Sequence, residues 1–226
     1  TVQNVFAIHH VLEDSFARGQ GTRAWGHYAF PELVQELVSI VSDKAESTSA
    51  NTTVCELGFA LGHSAATFLS AHERVRVISF DLMEDPAKWR AFHLLQLKFP
   101  SRLRVIVGDV RTTLWDREIT HDIQCDVVFP DTHLPNGLEL ELLSGLRELA
   151  SSSAAVVVDW GLGHGGPDGR GRPYPDPGGD LFYAAALDQG RLVSGQCIVG
   201  IPDVERYPEL EKANVHSSVL CQASFP

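Results

Sequence analysis

The sequence predicts an α/β protein with a doubly wound, mostly parallel sheet. Runs rich in Val and Ile alternate with helical patterns between about residues 53 and 160. The runs are short and almost continuously apolar, as strands are when helices cover both faces of a parallel sheet. Five such strands joined by helical crossovers are typical of the doubly wound architecture.

The elements follow in a regular order. Scattered apolar and aromatic positions occupy residues 1–30, and Pro31 opens a helix over 31–45 whose apolar residues recur at helical spacing. A polar linker, 46–52, precedes the alternating region. The predicted strands are 53–57, 75–80, 103–107, 126–129 and 154–159, with two last strands at 191–200 and 216–224. The predicted helices between them are 63–72, 86–99, 111–117, 136–150 and 180–189.

The 226 residues predict one main domain at 51–226, preceded by an N-terminal helical cap or lid at 1–50. The segment 161–180 holds eight Gly and four Pro, so it predicts a long loop that closes over a site. The assembly is left open between a monomer and a homodimer, which is common among soluble enzymes.

The composition excludes some classes of binding partner and location. A formal net charge of −11 repels phosphate backbones, so nucleic acid is not an expected partner. No apolar run reaches the ~20 residues of a membrane helix, and the N-terminus lacks the pattern of a signal peptide. The four cysteines have no zinc-site spacing and predict buried free thiols in a cytoplasmic protein. Their positions are Cys55, Cys125, Cys197 and Cys221.

The most informative stretch joins the first predicted strand to the first crossover helix. It reads Glu56-Leu-Gly58-Phe-Ala-Leu-Gly62-His-Ser64. The glycines allow a sharp turn close to a ligand, and the helix N-terminus offers free N–H groups. Asp81 ends the second strand, 23 residues after Gly58, where a carboxylate can accept both hydroxyls of a ribose.

A third acidic position follows the third strand, where Gly108 and Asp109 stand within reach of a ligand's base edge. Acids at three successive strand ends form a more specific pattern than a glycine turn alone. Together with the turn, these strand ends predict a nucleoside-containing cofactor.

These pieces resemble the class I S-adenosylmethionine-dependent methyltransferases, and in particular their small O-methyltransferase-like group. The resemblance rests on ELGFALGHS, SFDL, GDVRTTL and CDVVFPDTH, and it covers about residues 53–160. It implies a Rossmann-like sheet ending in an antiparallel hairpin, and a small-molecule acceptor methylated on a hydroxyl. It also implies the cofactor-binding residues, which are Glu56, Gly58, Gly62, Ser64, Asp81 and Asp109.

Other proteins use a glycine turn at this place. A dehydrogenase would carry G-x-G-x-x-G, whereas this chain has G-x-x-x-G with Ala60 in the middle. The run from Gly62 to Ala66 superficially matches the nucleophile elbow of a hydrolase. The strand ends about five residues before Gly62, so Ser64 is expected in the first helical turn, as a helix cap or a cofactor contact. A non-catalytic methyltransferase-like binding domain is the main alternative from another class.

The acceptor is expected beside the ends of the fourth and fifth strands. Asp131 and His133 follow the fourth, and His133 is the candidate general base because its ordinary pKa lies near neutrality. Asp131 and Asp159 are spaced like the metal-binding pair of catechol-type O-methyltransferases, which implies a Mg²⁺ site. Trp160 and Leu134 stand where that family has a third ligand and a lysine, so the metal is left open.

Overall fold

The computed structural model describes residues 2–17, 30–131, 138–160, 178–201, 205 and 218–226. Its strands form one mixed sheet and its helices flank that sheet. The strands are β1 (Thr52–Leu57), β2 (Val75–Asp81), β3 (Leu103–Val107), β4 (Cys125–Pro130), β5 (Ala150–Trp160), β6 (Val193–Gly200) and β7 (Ser218–Ser224). The helices are α1 (Val2–Ala17), α2 (Pro31–Glu46), α3 (His63–Ala71), α4 (Pro86–Lys98), α5 (Val110–Thr113), α6 (Arg117–Thr120), α7 (Leu138–Leu149) and α8 (Gly178–Asp188).

The strand order is β3-β2-β1-β4-β5-β7-β6. The first five strands run parallel, whereas β7 is antiparallel to both β5 and β6. The predicted doubly wound sheet with an antiparallel end is therefore confirmed. Because the order reverses between β1 and β4, the crevice for a ligand is expected at their carboxyl ends.

Two hydrophobic layers cover the sheet. Buried residues of α1, α2, α3 and α4 pack on one face together with Val54, Val77 and Val127 of the strands. Buried residues of α5, α7 and α8 pack on the other face with Val128 and Val156. Near-continuous apolar strands are thus explained by burial from both sides.

Helix α1 was not among the predicted elements. Val5, Ile8 and Leu12 form its buried stripe, spaced three and four residues apart, and they join the core in which α1 contacts α2 and α3. That spacing is the helical signal in the N-terminal segment. The division into a cap at 1–50 and a domain at 51–226 stays a prediction.

Two element boundaries differ from expectation. The single short helix predicted at 111–117 is two helices, α5 and α6, because Asp116 caps a new helix by accepting a hydrogen bond from the Glu118 N–H. Strand β5 begins at Ala150 rather than 154; residues 151–153 are serines, so this part of the strand has no apolar pattern in the sequence.

All four cysteines are paired, so the prediction of free thiols is wrong. Cys55 of β1 is bonded to Cys125 of β4, and Cys197 of β6 to Cys221 of β7. Each pair joins neighbouring strands of the sheet, a proximity that spacing along the chain does not show. Disulfides are typical of oxidising compartments, so the cysteines no longer support a cytoplasmic location.

Candidate functional site

The glycine turn after β1 folds directly onto the acid that ends β2. Gly58 and Gly62 have positive φ values of 90° and 75°, which L-residues rarely adopt. One carboxylate oxygen of Asp81, Oδ2, accepts hydrogen bonds from the N–H groups of Phe59 (2.9 Å) and Ala60 (3.1 Å). The structure therefore brings together the turn and the acid that the sequence placed at one edge of the sheet.

The second oxygen of Asp81 is engaged as well. Oδ1 accepts from the Met83 N–H at 2.6 Å and from the Lys88 ammonium at 2.7 Å. The side chain of Asp81 is 5% exposed and that of Lys88 26% exposed. Lys88 lies in the first turn of α4, and sequence reasoning assigned it no role. The sequence offered one indication of this contact: Lys88 stands seven residues after Asp81, in the first turn of a helix that Pro86 begins.

Gly62 is also required by packing. A Cβ at this position would lie 2.9 Å from both the Leu95 Cδ1 atom and the Phe59 Cζ atom. Phe59 is fully buried and also contacts the ring of Phe92 edge-on. The turn is thus anchored on α4 through the side chain of Phe59, which fixes the backbone that faces Asp81.

Glu56, near the end of β1, is completely buried. The Ser79 hydroxyl donates a hydrogen bond to Oε1, and the Ser64 side chain also bonds this carboxyl. Burial raises the pKa of Glu56 to about 8; the two serines oppose that shift, and the charges of Asp131 and Asp81 add to it. At neutral pH the group is mostly protonated.

Glu56 also carries an unsatisfied atom. Among the described residues, its Oε2 has no hydrogen-bond partner. A buried carboxyl oxygen of this kind favours a ligand that either accepts a hydrogen bond from its proton or brings a positive charge that displaces the proton. The carboxyl therefore fits the predicted cofactor-binding role.

Ser64 lies in the first turn of α3, as expected; of its two expected roles the helix cap is wrong, and the cofactor contact stays a prediction. Gly62 is the N-cap residue and the helix begins at His63, so Ser64 is already inside the first turn. Its hydroxyl hydrogen-bonds Glu56 instead of a helix N–H. The nucleophile-elbow geometry is absent too, since Ser64 stands in α3, separated by a turn from the end of β1.

Asp109 follows β3 and begins α5. Its carboxylate accepts from the Arg111 N–H at 2.9 Å and forms an ion pair with the Arg111 guanidinium. The hydrogen bonds from Arg111 hold the pKa of Asp109 below its usual value. The carboxylate is thus charged and partly exposed at the sheet edge, and its contact with a base edge stays a prediction.

The structure describes only some of the residues expected beside the methyl acceptor, at the ends of β4 and β5. Asp131 is half-buried directly after β4, close enough to Glu56 to influence its pKa. Asp159 lies in β5 with its backbone opposite Leu220 of β7. His133 and the side chain of Asp159 lie outside the described residues, as does the loop 161–180 apart from the residues that begin α8.

The described part of the chain contains no group of three or more His, Cys, Asp or Glu side chains arranged to hold a metal ion. Since the side chain of Asp159, one of the two predicted Mg²⁺ ligands, and the whole of His133 lie outside that part, the metal site and the general base stay predictions. None of the described helices is long and apolar enough to cross a membrane.

A buried histidine links α1 to the turn. The His9 Nε2 atom lies 3.2 Å from the Thr67 hydroxyl of α3, and its ring packs edge-on against His63 at 5.0 Å. Sequence reasoning assigned His9 nothing, although it lies on the same helical face as Val5 and Leu12. The N-terminal helix is therefore fastened to the residue that immediately follows Gly62.

A separate apolar cavity of about 180 Å³ lies between α1 and α4. It is lined by none of the predicted site residues, and only Lys98 contributes a charged group to it. The carboxyl edge of the sheet therefore stays the candidate site, because the acids and the glycine turn converge there and not at the cavity.

No protein-family model and no curated protein sequence matches the chain. Solved structures do share its fold. An O-methyltransferase from Bacillus cereus in complex with SAH has a TM-score of 0.65 and 14% identity, covering 96% of this chain and 89% of that one. The O-methyltransferase TomG from Streptomyces achromogenes, in complex with SAM, has a TM-score of 0.62 and 14% identity, with coverage of 100% and 89%.

An N-methyltransferase, NodS from Bradyrhizobium japonicum, is also similar, with a TM-score of 0.53 and 12% identity over 85% of this chain and 96% of that one. Enzymes named for oxygen and for nitrogen acceptors thus share this architecture. The chain has the Rossmann-like methyltransferase fold that its sequence predicts.

Proposed function

We propose that the protein is an S-adenosylmethionine-dependent methyltransferase that acts on a small-molecule acceptor and transfers the methyl group to a hydroxyl of that acceptor. The observation that carries the proposal is the closure of the glycine turn on Asp81 at the carboxyl edge of β1 and β2. Structures of similar fold are named as complexes with SAM or SAH, which supports the same ligand here.

The chain's own residues fit that cofactor. Asp81 offers a buried carboxylate for ribose hydroxyls. A positively charged amino group beside the unsatisfied Oε2 of Glu56 would lower the pKa of that carboxyl, so that it loses its proton and pairs with the ligand as a carboxylate. Gly58 and Gly62 shape the turn beside them, and Ser64 orients Glu56. Asp109 is proposed to contact the base.

The cofactor supplies a methyl group activated on a sulfonium, and the protein's task is to position the acceptor in line with it. His133 is proposed to take the acceptor proton as general base, with Asp131 beside it. Asp131 and Asp159 are the proposed ligands should the reaction require Mg²⁺. The homodimer stays a proposal, and the cytoplasmic location has the paired cysteines against it.

The cofactor assignment is tested by calorimetric titration with S-adenosylhomocysteine. We expect a Kd near the micromolar range, about −8 kcal/mol, and at least tenfold weaker binding by Asp81→Asn, because a charged acceptor of hydrogen bonds is lost. Asp122→Asn is the matched control, since Asp122 is an exposed carboxylate paired with Arg104. Thermal unfolding of each variant verifies that the fold is retained.

An absence of binding by the wild-type protein would overturn the proposal. Binding that is unchanged in Asp81→Asn would remove Asp81 from the site while leaving the cofactor in place. If binding is found, acceptors are screened with and without Mg²⁺, and lack of turnover with any acceptor would favour the non-catalytic binding domain.

A further inference from the structure

Asp81 has no free acceptor position in this structure. An ionised carboxylate offers about four lone-pair sites, two on each oxygen. Phe59 and Ala60 occupy those of Oδ2, and Met83 and Lys88 occupy those of Oδ1. A ribose hydroxyl can therefore bind Asp81 only if one of these four donors leaves.

The four donors differ in how readily they can leave. Three are backbone N–H groups, held by the glycine turn after β1 and by the chain that continues β2. Moving the Phe59 or Ala60 N–H would shift the turn that Phe59 anchors in the core, and moving the Met83 N–H would shift the backbone of a buried residue just after β2. The fourth is the ammonium at the end of the Lys88 side chain, which is 26% exposed and can rotate into water without moving the backbone.

From this arrangement we infer that the Lys88 ammonium occupies an acceptor position on Asp81 Oδ1 while the cofactor is absent. A ribose hydroxyl takes that position when the cofactor binds, and Lys88 is displaced. The inference rests on the proposed function and identifies a positioning residue, which acts through Asp81. Lys88 keeps the carboxylate compensated and in place between turnovers. In exchange, each binding event must break the Lys88–Asp81 ion pair.

The inference makes Lys88 a competitor of the cofactor. Lys88→Met removes the ammonium while keeping a side chain of similar length. We expect S-adenosylhomocysteine to bind Lys88→Met about two- to fivefold more tightly than the wild type, the upper part of the range measured for ion pairs that reach solvent. The unliganded variant should melt at a lower temperature, because the same ion pair is lost there. A merely structural lysine would not give opposite changes in stability and affinity.

Ionic strength gives a second readout. Salt screens the Lys88–Asp81 attraction, and S-adenosylhomocysteine carries no net charge. Its affinity for the wild type should therefore rise with added salt, whereas its affinity for Lys88→Met should change less.

The test is calorimetric titration of four proteins with S-adenosylhomocysteine. They are the wild type, Lys88→Met, Lys88→Arg and the control Lys98→Met, which removes a lysine from the far end of the same helix. Lys88→Arg keeps the charge and should bind with close to wild-type affinity, as should Lys98→Met.

The outcomes separate the two levels of the proposal. If the wild type binds and Lys88→Met binds equally or more weakly, the proposed displacement of Lys88 by the ribose is overturned and the cofactor assignment stands. If the wild type does not bind S-adenosylhomocysteine, the proposed function fails, and the proposed displacement of Lys88 fails with it. Tighter binding by Lys88→Met alone supports both.

Discussion

Glu56 is buried with a proton on it, which couples the stability of the protein to pH. Its pKa lies at about 8 in the folded state, against an ordinary value of 4.5. Between these values the folded state holds more protons than the unfolded state, so stability falls as pH rises. The stabilising contribution is complete below about pH 4.5 and is lost as pH passes about 8.

Replacing Glu56 with Gln should remove this dependence. Gln has the same shape and does not titrate, so Glu56→Gln should gain stability over the wild type as pH rises from 5 to 9. The expected difference is a few kcal/mol at most, because each pH unit between the folded and unfolded pKa values contributes about 1.4 kcal/mol. Denaturant unfolding at several pH values measures it.

Glu141→Gln is the control, because Glu141 is exposed on α7 and should show no comparable trend. Parallel stability curves for Glu56→Gln and the wild type across this range would mean that Glu56 is not protonated in the folded protein.

At the scale of a single turn, conformation and packing both require glycine at position 62. Gly62→Ala adds a Cβ that meets Leu95 and Phe59 at 2.9 Å, on a backbone with φ of 75°. We expect a loss of about 2–4 kcal/mol, the sum of backbone strain and overpacking. Denaturant unfolding gives the difference in free energy.

Gly190→Ala isolates the backbone contribution. Gly190 has a similar φ of 63°, but nothing lies within 4 Å of the Cβ it would gain. This control should lose only about 1 kcal/mol. Equal losses at the two positions would show that the contact with α4 does not constrain the turn.

The sequence predicted elements wherever apolar residues marked them. The strands up to β4, helix α2 and the Gly58-to-Gly62 turn were found within a residue or two. Helix α1 was missed although Val5, Ile8 and Leu12 recur at helical spacing, because three positions make only a short apolar stripe. Asp81 was found because acids at strand ends are recognisable, whereas Lys88 depends on how α4 is placed in space.

Across the whole molecule, the two disulfides close loops of 70 and 24 residues. Loop-closure entropy gives stabilisations of about 4 and 3 kcal/mol, respectively. Cys55→Ala with Cys125→Ala, and Cys197→Ala with Cys221→Ala, should lower the free energy of unfolding by about these amounts. Denaturant unfolding of each double variant, beside the wild type with and without reductant, measures them.

Thiol counting provides the check. In denatured but unreduced protein, none of the four cysteines should be alkylated. After reduction, all four should be. Full alkylation without reduction would mean that the cysteines are free thiols after all. Sequence could not decide this point, because pairing depends on which strands become neighbours.

The place of β7 between β5 and β6 has a consequence for how the protein is made. A ribosome produces β6 before β7, yet β7 is the strand through which β6 joins the sheet. While the nascent chain grows, β6 must therefore wait with its backbone groups unpaired. Because unpaired strands associate readily with other chains, newly synthesised β6 is open to aggregation and to capture by chaperones until β7 follows it.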